Sequence, residues 1–288
     1  MSGVRKAMLV AVSLLAAGAA APASAGPAQR DTMVTATLVS ETRQLVPGGD
    51  GVIGVHLKMA EGWHVYWRYA GDSGAPVLVE FDAPEGVTIG EPLWPAPERH
   101  IDGGMLVNYI YEDEVLLMFP VSVDAGVAPG TSLTFHADLD WLVCKEYCFP
   151  GSAEATLTVE AGSDAAPSSA AKAFEAARAR LPRDWKHAHD EGVSASWVDG
   201  RLVFRAPGAA GLAFYPYPES EDREILPEAD MVRGGVTRGA ELAIGYGEDA
   251  RDAAHVLGVL CVQRGPGREP VYYSVDIPGA GRVPASVD

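Results

Sequence analysis

Three cysteines in 288 residues are too few for a small secreted scaffold held together by disulfides. A chain of this length can bury a core without such staples. Basic residues are scarce as well: 22 Lys and Arg stand against 39 Asp and Glu, a formal net charge of −17. Nucleic acid and anionic lipid would both be repelled by so acidic a surface, which argues against either as a partner. After the N-terminus no stretch approaches the ~18 uninterrupted apolar residues of a membrane span, so the mature protein is expected to be soluble and not membrane-spanning. There is no Cys-x-x-Cys motif, and no glycine-rich turn in the strand–helix context of a dinucleotide site. No cofactor is expected.

The N-terminus does carry a pattern. Arg5 and Lys6 precede an uncharged apolar stretch, Ala7 to Ala21, which closes on Ala23-Ser24-Ala25. A positive end, a short apolar core and a small-x-small site read as a cleavable secretory signal over residues 1–25. The apolar run is short of the ~20 residues an anchor needs. Export to the periplasm is expected, with a mature charge of −19 once the two basic residues are removed.

Residues 26–161 read as short strands rich in Val, Leu, Thr and aromatics, punctuated by Gly, Pro and Asp. Thr32–Ser40, Gly51–Met59, Val77–Phe81, Glu114–Val123, Thr131–Val143 and Ala153–Glu160 are the candidates. Such spacing predicts an immunoglobulin-like β-sandwich. A short helical linker follows over 162–183, with Phe174, Ala177 and Leu181 at helical spacing between Ala170 and a stop at Pro182. Residues 184–288 are again strand-rich and predict a second, smaller β-sandwich-like domain. The fold class is all-β.

The strand before the first cysteine is the most informative stretch. Leu133, Phe135, Ala137, Leu139, Trp141 and Val143 occupy one phase of a period-two pattern; Thr134, His136, Asp138, Asp140 and Cys144 occupy the other. Cys144 is thus expected on the solvent side, unlike a core-stapling disulfide. Cys148 lies four residues on, about 13 Å away in an extended chain. A disulfide needs Cα atoms within roughly 7 Å, so the chain would have to fold back at Lys145–Tyr147. Closing so small a loop stabilises by only about 2 kcal/mol in the chain-entropy model. Redox activity, a structural clip and metal binding all remain open from the spacing. Paired thiolates and a nearby Met would suit copper(I), with Cys144 and Cys148 as ligands.

The run Trp141-Leu142-Val143-Cys144-Lys145-Glu146-Tyr147-Cys148-Phe149-Pro150 resembles the cysteine segment of the N-terminal periplasmic region of DsbD-type thiol:disulfide interchange proteins, in the ScsB-like branch. Gly62-Trp63-His64-Val65-Tyr66-Trp67, Gly71-Asp72-Ser73-Gly74, Trp94-Pro95-Ala96-Pro97 and Tyr109-Ile110-Tyr111-Glu112 are similar to other segments of that branch. The resemblance implies an immunoglobulin-like domain whose disulfide is reduced by one protein and then reduces another. Its partners would be periplasmic thiol/disulfide proteins and a separate, membrane-embedded or soluble, electron donor, since no membrane conduit or thioredoxin-like domain follows before Asp288. It further implies a cap over the disulfide, matched here by about Ile101–Val107 with Met105 and Leu106 in place of an aromatic plug. His64 and Tyr66 would line the site.

Cys144 is favoured as the attacking thiol because Lys145 adjoins it. Gly71-Asp72-Ser73-Gly74 copies the tetrapeptide around a chymotrypsin-like nucleophile, but the preceding chain is too short for the first barrel; a Gly-rich turn explains it. Cys261, in the apolar run Val256–Val262, reads as a small buried hydrophobe.

Overall fold

The computed structural model describes residues 33–217, 236–237, 241–245 and 255–279. The expected signal over residues 1–25 lies outside them. The first part of the chain forms β1 (Val34–Ser40), β2 (Gln44–Leu45), β3 (Asp50–Met59), β4 (His64–Gly71), β5 (Leu78–Asp82) and β6 (Val87–Ile89). It continues with β7 (Glu98–Asp102), β8 (Leu106–Glu112), β9 (Glu114–Val123), β10 (Ser132–Cys144) and β11 (Cys148–Ala161). These pair as two sheets, β1-β3-β9-β6 and β2-β11-β10-β4-β8-β7, with β5 alongside β10.

Period-two alternation decides which sides meet. Ile53, Val55 and Leu57 of β3 and Val115, Leu117 and Phe119 of β9 share one core with Leu133, Phe135 and Leu139 of β10. Each such side chain contributes roughly 1.5–3 kcal/mol on burial. The result is the expected all-β, immunoglobulin-like sandwich. Strand β9 has the bounds read from the sequence, whereas the expected loop Ile101–Val107 is mostly strand: β7 and β8 form a hairpin turning at Gly103-Gly104-Met105.

Helix α1 (Ala171–Ala179) is shorter than its periodicity suggested. It lays Phe174 and Ala177 on Leu116 and Met118, the outward residues of β9. Gly54 allows this approach, because a Cβ there would come within 3.1 Å of the Phe174 ring. The segment expected as a linker is therefore packed on the first sandwich.

Beyond it come β12 (Arg183–Asp184), α2 (Lys186–Asp190), β13 (Ser194–Val198), β14 (Arg201–Arg205), β15 (Gly211–Pro216), β16 (Val236–Thr237), β17 (Glu241–Gly245), β18 (His255–Gln263) and β19 (Val271–Pro278). Two four-stranded sheets, β12-β19-β18-β15 and β13-β14-β17-β16, enclose Leu202, Phe204, Leu260 and Tyr273. The other side of the first of these joins the core of the N-terminal sandwich through Tyr215, Val259, Cys261 and Tyr272. Tyr215 stands 6.4 Å from the Trp67 ring and 5.5 Å from that of Tyr109. Cys261 is buried at this junction, and burial pushes its thiol up to about 11.

Candidate redox site

Cys144 ends β10 and Cys148 begins β11, directly opposite each other in the antiparallel register. The chain reverses through Lys145, Glu146 and Tyr147, leaving the two Cα atoms 4.1 Å apart and the sulfurs joined in a disulfide. The alternation of β10 holds to its end: every residue of the Leu133–Val143 phase is buried in the core, Trp141 included. Trp141 therefore lies in the core, in the strand phase opposite to that of Cys144.

Cys144 does occupy the outward phase, but it is not solvent-exposed. It is 3% exposed, packed with Tyr66 of β4 and Ile110 of β8. Strand β4 meets β10 in register at the pair His64–Cys144, so β4 and β8 continue the sheet beside the cysteine and their side chains Tyr66 and Ile110 pack on it. These strands lie far away in sequence, and alternation within β10 alone could not reveal them. Cys148, by contrast, is exposed. The disulfide has one buried and one accessible end.

Tyr66 donates its hydroxyl hydrogen to Cys144 Sγ at 3.1 Å and lies 3.8 Å from Cys148 Sγ. Burial, aided by the Asp102 carboxylate, raises the phenol above its usual range, so it stays protonated and remains a donor. His64 stacks its ring edge-on to Tyr66 at 5.4 Å and sits 5.2 Å from the ring of His100 on β7. Burial, reinforced by His100, lowers its pKa to about 4 against the opposing pull of Asp102. His64 is thus a neutral imidazole at neutral pH.

Lys145 donates to the Glu61 carbonyl at 3.2 Å. Met105 and Leu106 stand at the hairpin tip, 66% and 42% exposed, outside the cluster that covers Cys144. Tyr66 and Ile110 are the buried side chains packed directly on Cys144. Exposed aromatic side chains, Tyr147 and Phe149, flank Cys148 in the chain, and Trp63 lies 6.0 Å from the Phe149 ring. Among the described residues no group of three or more His, Cys, Asp or Glu side chains is arranged to hold a metal ion.

The first domain is thus a sandwich carrying a half-buried disulfide under a tyrosine hydroxyl. Residues 35–160 match the family described as "Thiol:disulfide interchange protein DsbD, N-terminal", so the first domain is of the DsbD N-terminal type that the cysteine segment implied. Among solved structures, the N-terminal periplasmic domain of ScsB from Proteus mirabilis is similar at 16% identity and TM-score 0.52. That match covers 85% of this chain and 92% of the other, so the shared fold extends over both domains. The reduced DsbD n-terminal domain of Neisseria meningitidis aligns at 18% identity and TM-score 0.28, over 46% of this chain and 90% of that one. No curated protein sequence matches the chain.

Proposed function

We propose that the protein is a periplasmic thiol–disulfide interchange protein that passes electron pairs between partner proteins through Cys144 and Cys148. The observation that carries this is the asymmetry of the pair: Cys148 is accessible, whereas Cys144 is buried against a protonated Tyr66.

A partner thiolate attacks Cys148 Sγ, the S–S bond breaks, and Cys144 departs as a thiolate that accepts the Tyr66 hydroxyl hydrogen. The partner's second thiolate then attacks its own sulfur in the mixed disulfide and releases Cys148 as a thiolate. Two electrons have moved to this protein and the partner holds a disulfide. Onward transfer runs in reverse: Cys148 attacks the target disulfide, and Cys144 closes on Cys148 Sγ to release the reduced target. Cys148, rather than Cys144 as the neighbouring Lys145 suggested, is the group that meets other proteins. The partners are periplasmic thiol/disulfide proteins, one of them a separate electron donor.

Equilibration in glutathione and dithiothreitol buffers, with alkylation and mass measurement, tests the reading. The potential is expected above the roughly −300 mV typical of structural secreted disulfides. A bond that stays oxidised well below that value makes the pair a structural clip. Reduced protein that retains copper through desalting makes it a metal site.

A further inference from the structure

The segment Gly71-Asp72-Ser73-Gly74 has no chemistry assigned to it, yet it contacts both the redox tyrosine and the neighbouring strand. After Tyr66 the ladder between β4 and β8 shifts register, and pairing resumes at Gly71 with Asn108. There the chain leaves the sheet with φ +94° at Gly71, where a Cβ would strike the Val107 carbonyl oxygen. It then folds back over the sheet's outward side. Asp72 Oδ2 accepts the Val107 amide hydrogen at 2.7 Å, and the Asp72 amide donates to the Val107 carbonyl at 2.9 Å. The Ser73 amide and hydroxyl both donate to Asn108 Oδ1, at 3.0 and 3.1 Å, and Asn108 is 1% exposed. Four hydrogen bonds thus fix two residues of the turn to two residues of β8.

The next residue lies against Tyr66. A Cβ on Gly74 would overlap the Tyr66 ring carbons, and its φ of +98° is one that side-chain-bearing residues rarely adopt. Pro76, two residues on, makes a bridge with Tyr66 itself. The Tyr66 ring is therefore packed on the Gly74 backbone while its hydroxyl bonds Cys144 Sγ. A phenol free to swing by an ångström would lose its bond to sulfur, because hydrogen bonds weaken steeply beyond about 3.5 Å.

We propose that Asp72, Ser73 and Gly74 are positioning residues for thiol–disulfide exchange: anchored to β8, they press Tyr66 against Cys144 so that its hydroxyl meets the departing thiolate. This rests on the reading of Tyr66 given above, and the test separates the two. The readout is the second-order rate of reduction of the disulfide by dithiothreitol in the full chain, followed across pH. Four proteins form a double-mutant cycle: the parent, Tyr66→Phe, Asp72→Ala and the pair combined, with Asp72→Asn as the conservative control.

Tyr66→Phe is expected to slow reduction about tenfold by removing a hydrogen bond to a charged sulfur. Asp72→Ala is expected to slow it about threefold by loosening that bond, and to have no further effect once Tyr66 is Phe. Asp72→Asn keeps an acceptor for the Val107 amide and should restore the parent rate. Gly74→Ala, which pushes on the ring directly, should reproduce the Tyr66→Phe effect. If Asp72→Ala does not fold, Ser73→Ala, which removes a single bond, takes its place in the cycle. Slowing by Tyr66→Phe with none from Asp72→Ala overturns the positioning role alone. So do effects of Asp72→Ala that multiply with those of Tyr66→Phe. A parent rate in Tyr66→Phe overturns the role of the hydroxyl itself, and the positioning role with it.

Discussion

Tyr66 and Cys144, 78 positions apart in the chain, are joined by a hydrogen bond of 3.1 Å from phenol to sulfur. The bond exists because β4 enters register with β10 at the cysteine, which sets the outward side chains of both strands side by side. A disulfide sulfur is a weak acceptor and a thiolate a strong one, so the bond strengthens as the disulfide opens.

The first prediction follows from that difference. Tyr66→Phe keeps the ring packed on Gly74 but removes the donor, so the reduced form loses stabilisation that the oxidised form hardly has. The reduction potential should fall by about 30 mV, equivalent to about 1.4 kcal/mol for this two-electron couple. Thermal stability of the oxidised protein should change little. An unaltered potential would show that the bond favours both redox states equally.

Burial decides the second. With Cys144 covered and Cys148 exposed, Cys144→Ala leaves a reactive thiol at the surface and no resolving partner beneath it. Mixed disulfides on Cys148 should accumulate, visible as reductant-sensitive bands on non-reducing gels. Cys148→Ala should trap little, because a partner disulfide cannot reach the remaining sulfur. The reverse pattern would mean that the packing of Tyr66 and Ile110 on Cys144 opens before exchange.

How much of this was legible follows from where each contact originates. A strand whose apolar phase faces a single core, such as β10, could be read from alternation within itself. The reversal at Lys145–Tyr147 could be read too, because two cysteines four apart can bond in no other way. The burial of Cys144 could not, since its cover comes from β4 and β8 and no local pattern encodes that pairing. The apparent solvent side of a strand is only the side opposite the core, and side chains of neighbouring strands can cover it. The glycine pattern marks Gly71 and Gly74 as turn residues, and both adopt positive φ. What that reading missed was that the turn folds onto Tyr66, for which the sole local signal is two glycines bracketing an Asp-Ser pair able to bond backbone amides. The junction of the two domains was also invisible, because an apolar strand such as β18 gives no sign that its two sides meet different cores.

The hairpin tip supplies a third prediction. The resemblance implies that Met105 and Leu106 shield the disulfide, and both are exposed at the tip of the β7–β8 hairpin. Replacing both with Ser should leave the rate with dithiothreitol within about twofold of the parent, as exposed side chains bury little area. The rate with a reduced protein dithiol, thioredoxin serving as the probe, should fall by about tenfold, because exposed apolar residues are what a protein partner would cover. Faster reaction with the small thiol would return the two residues to a shielding role.

The fourth prediction concerns pH, and its sign follows from His64. Its folded pKa is lowered to about 4 from the usual 6.5, chiefly because burial penalises the imidazolium and secondarily because His100 faces it from β7. Asp102 pulls the other way. Glu112 lies opposite His64 in the β4–β8 register, with its carboxylate 3.9 Å from His100 Nδ1. In the unfolded chain His64 takes up its proton as pH drops through about 6.5, whereas the folded protein resists until about 4. Unfolding is therefore favoured progressively across that window, and the stability linked to His64 is fully present above it. Denaturant titrations at pH 7.5 and pH 4.5 should show the parent losing about 2 kcal/mol more than His64→Gln, which has no proton to gain. The loss should begin around Tyr66, since His64 stacks on that ring, and oxidised protein at pH 4.5 should then react faster with a phosphine reductant that needs no thiolate. Equal pH dependence in parent and variant would show that His64 accepts its proton in place, through Asp102 and Glu112, without disturbing the cover over Cys144.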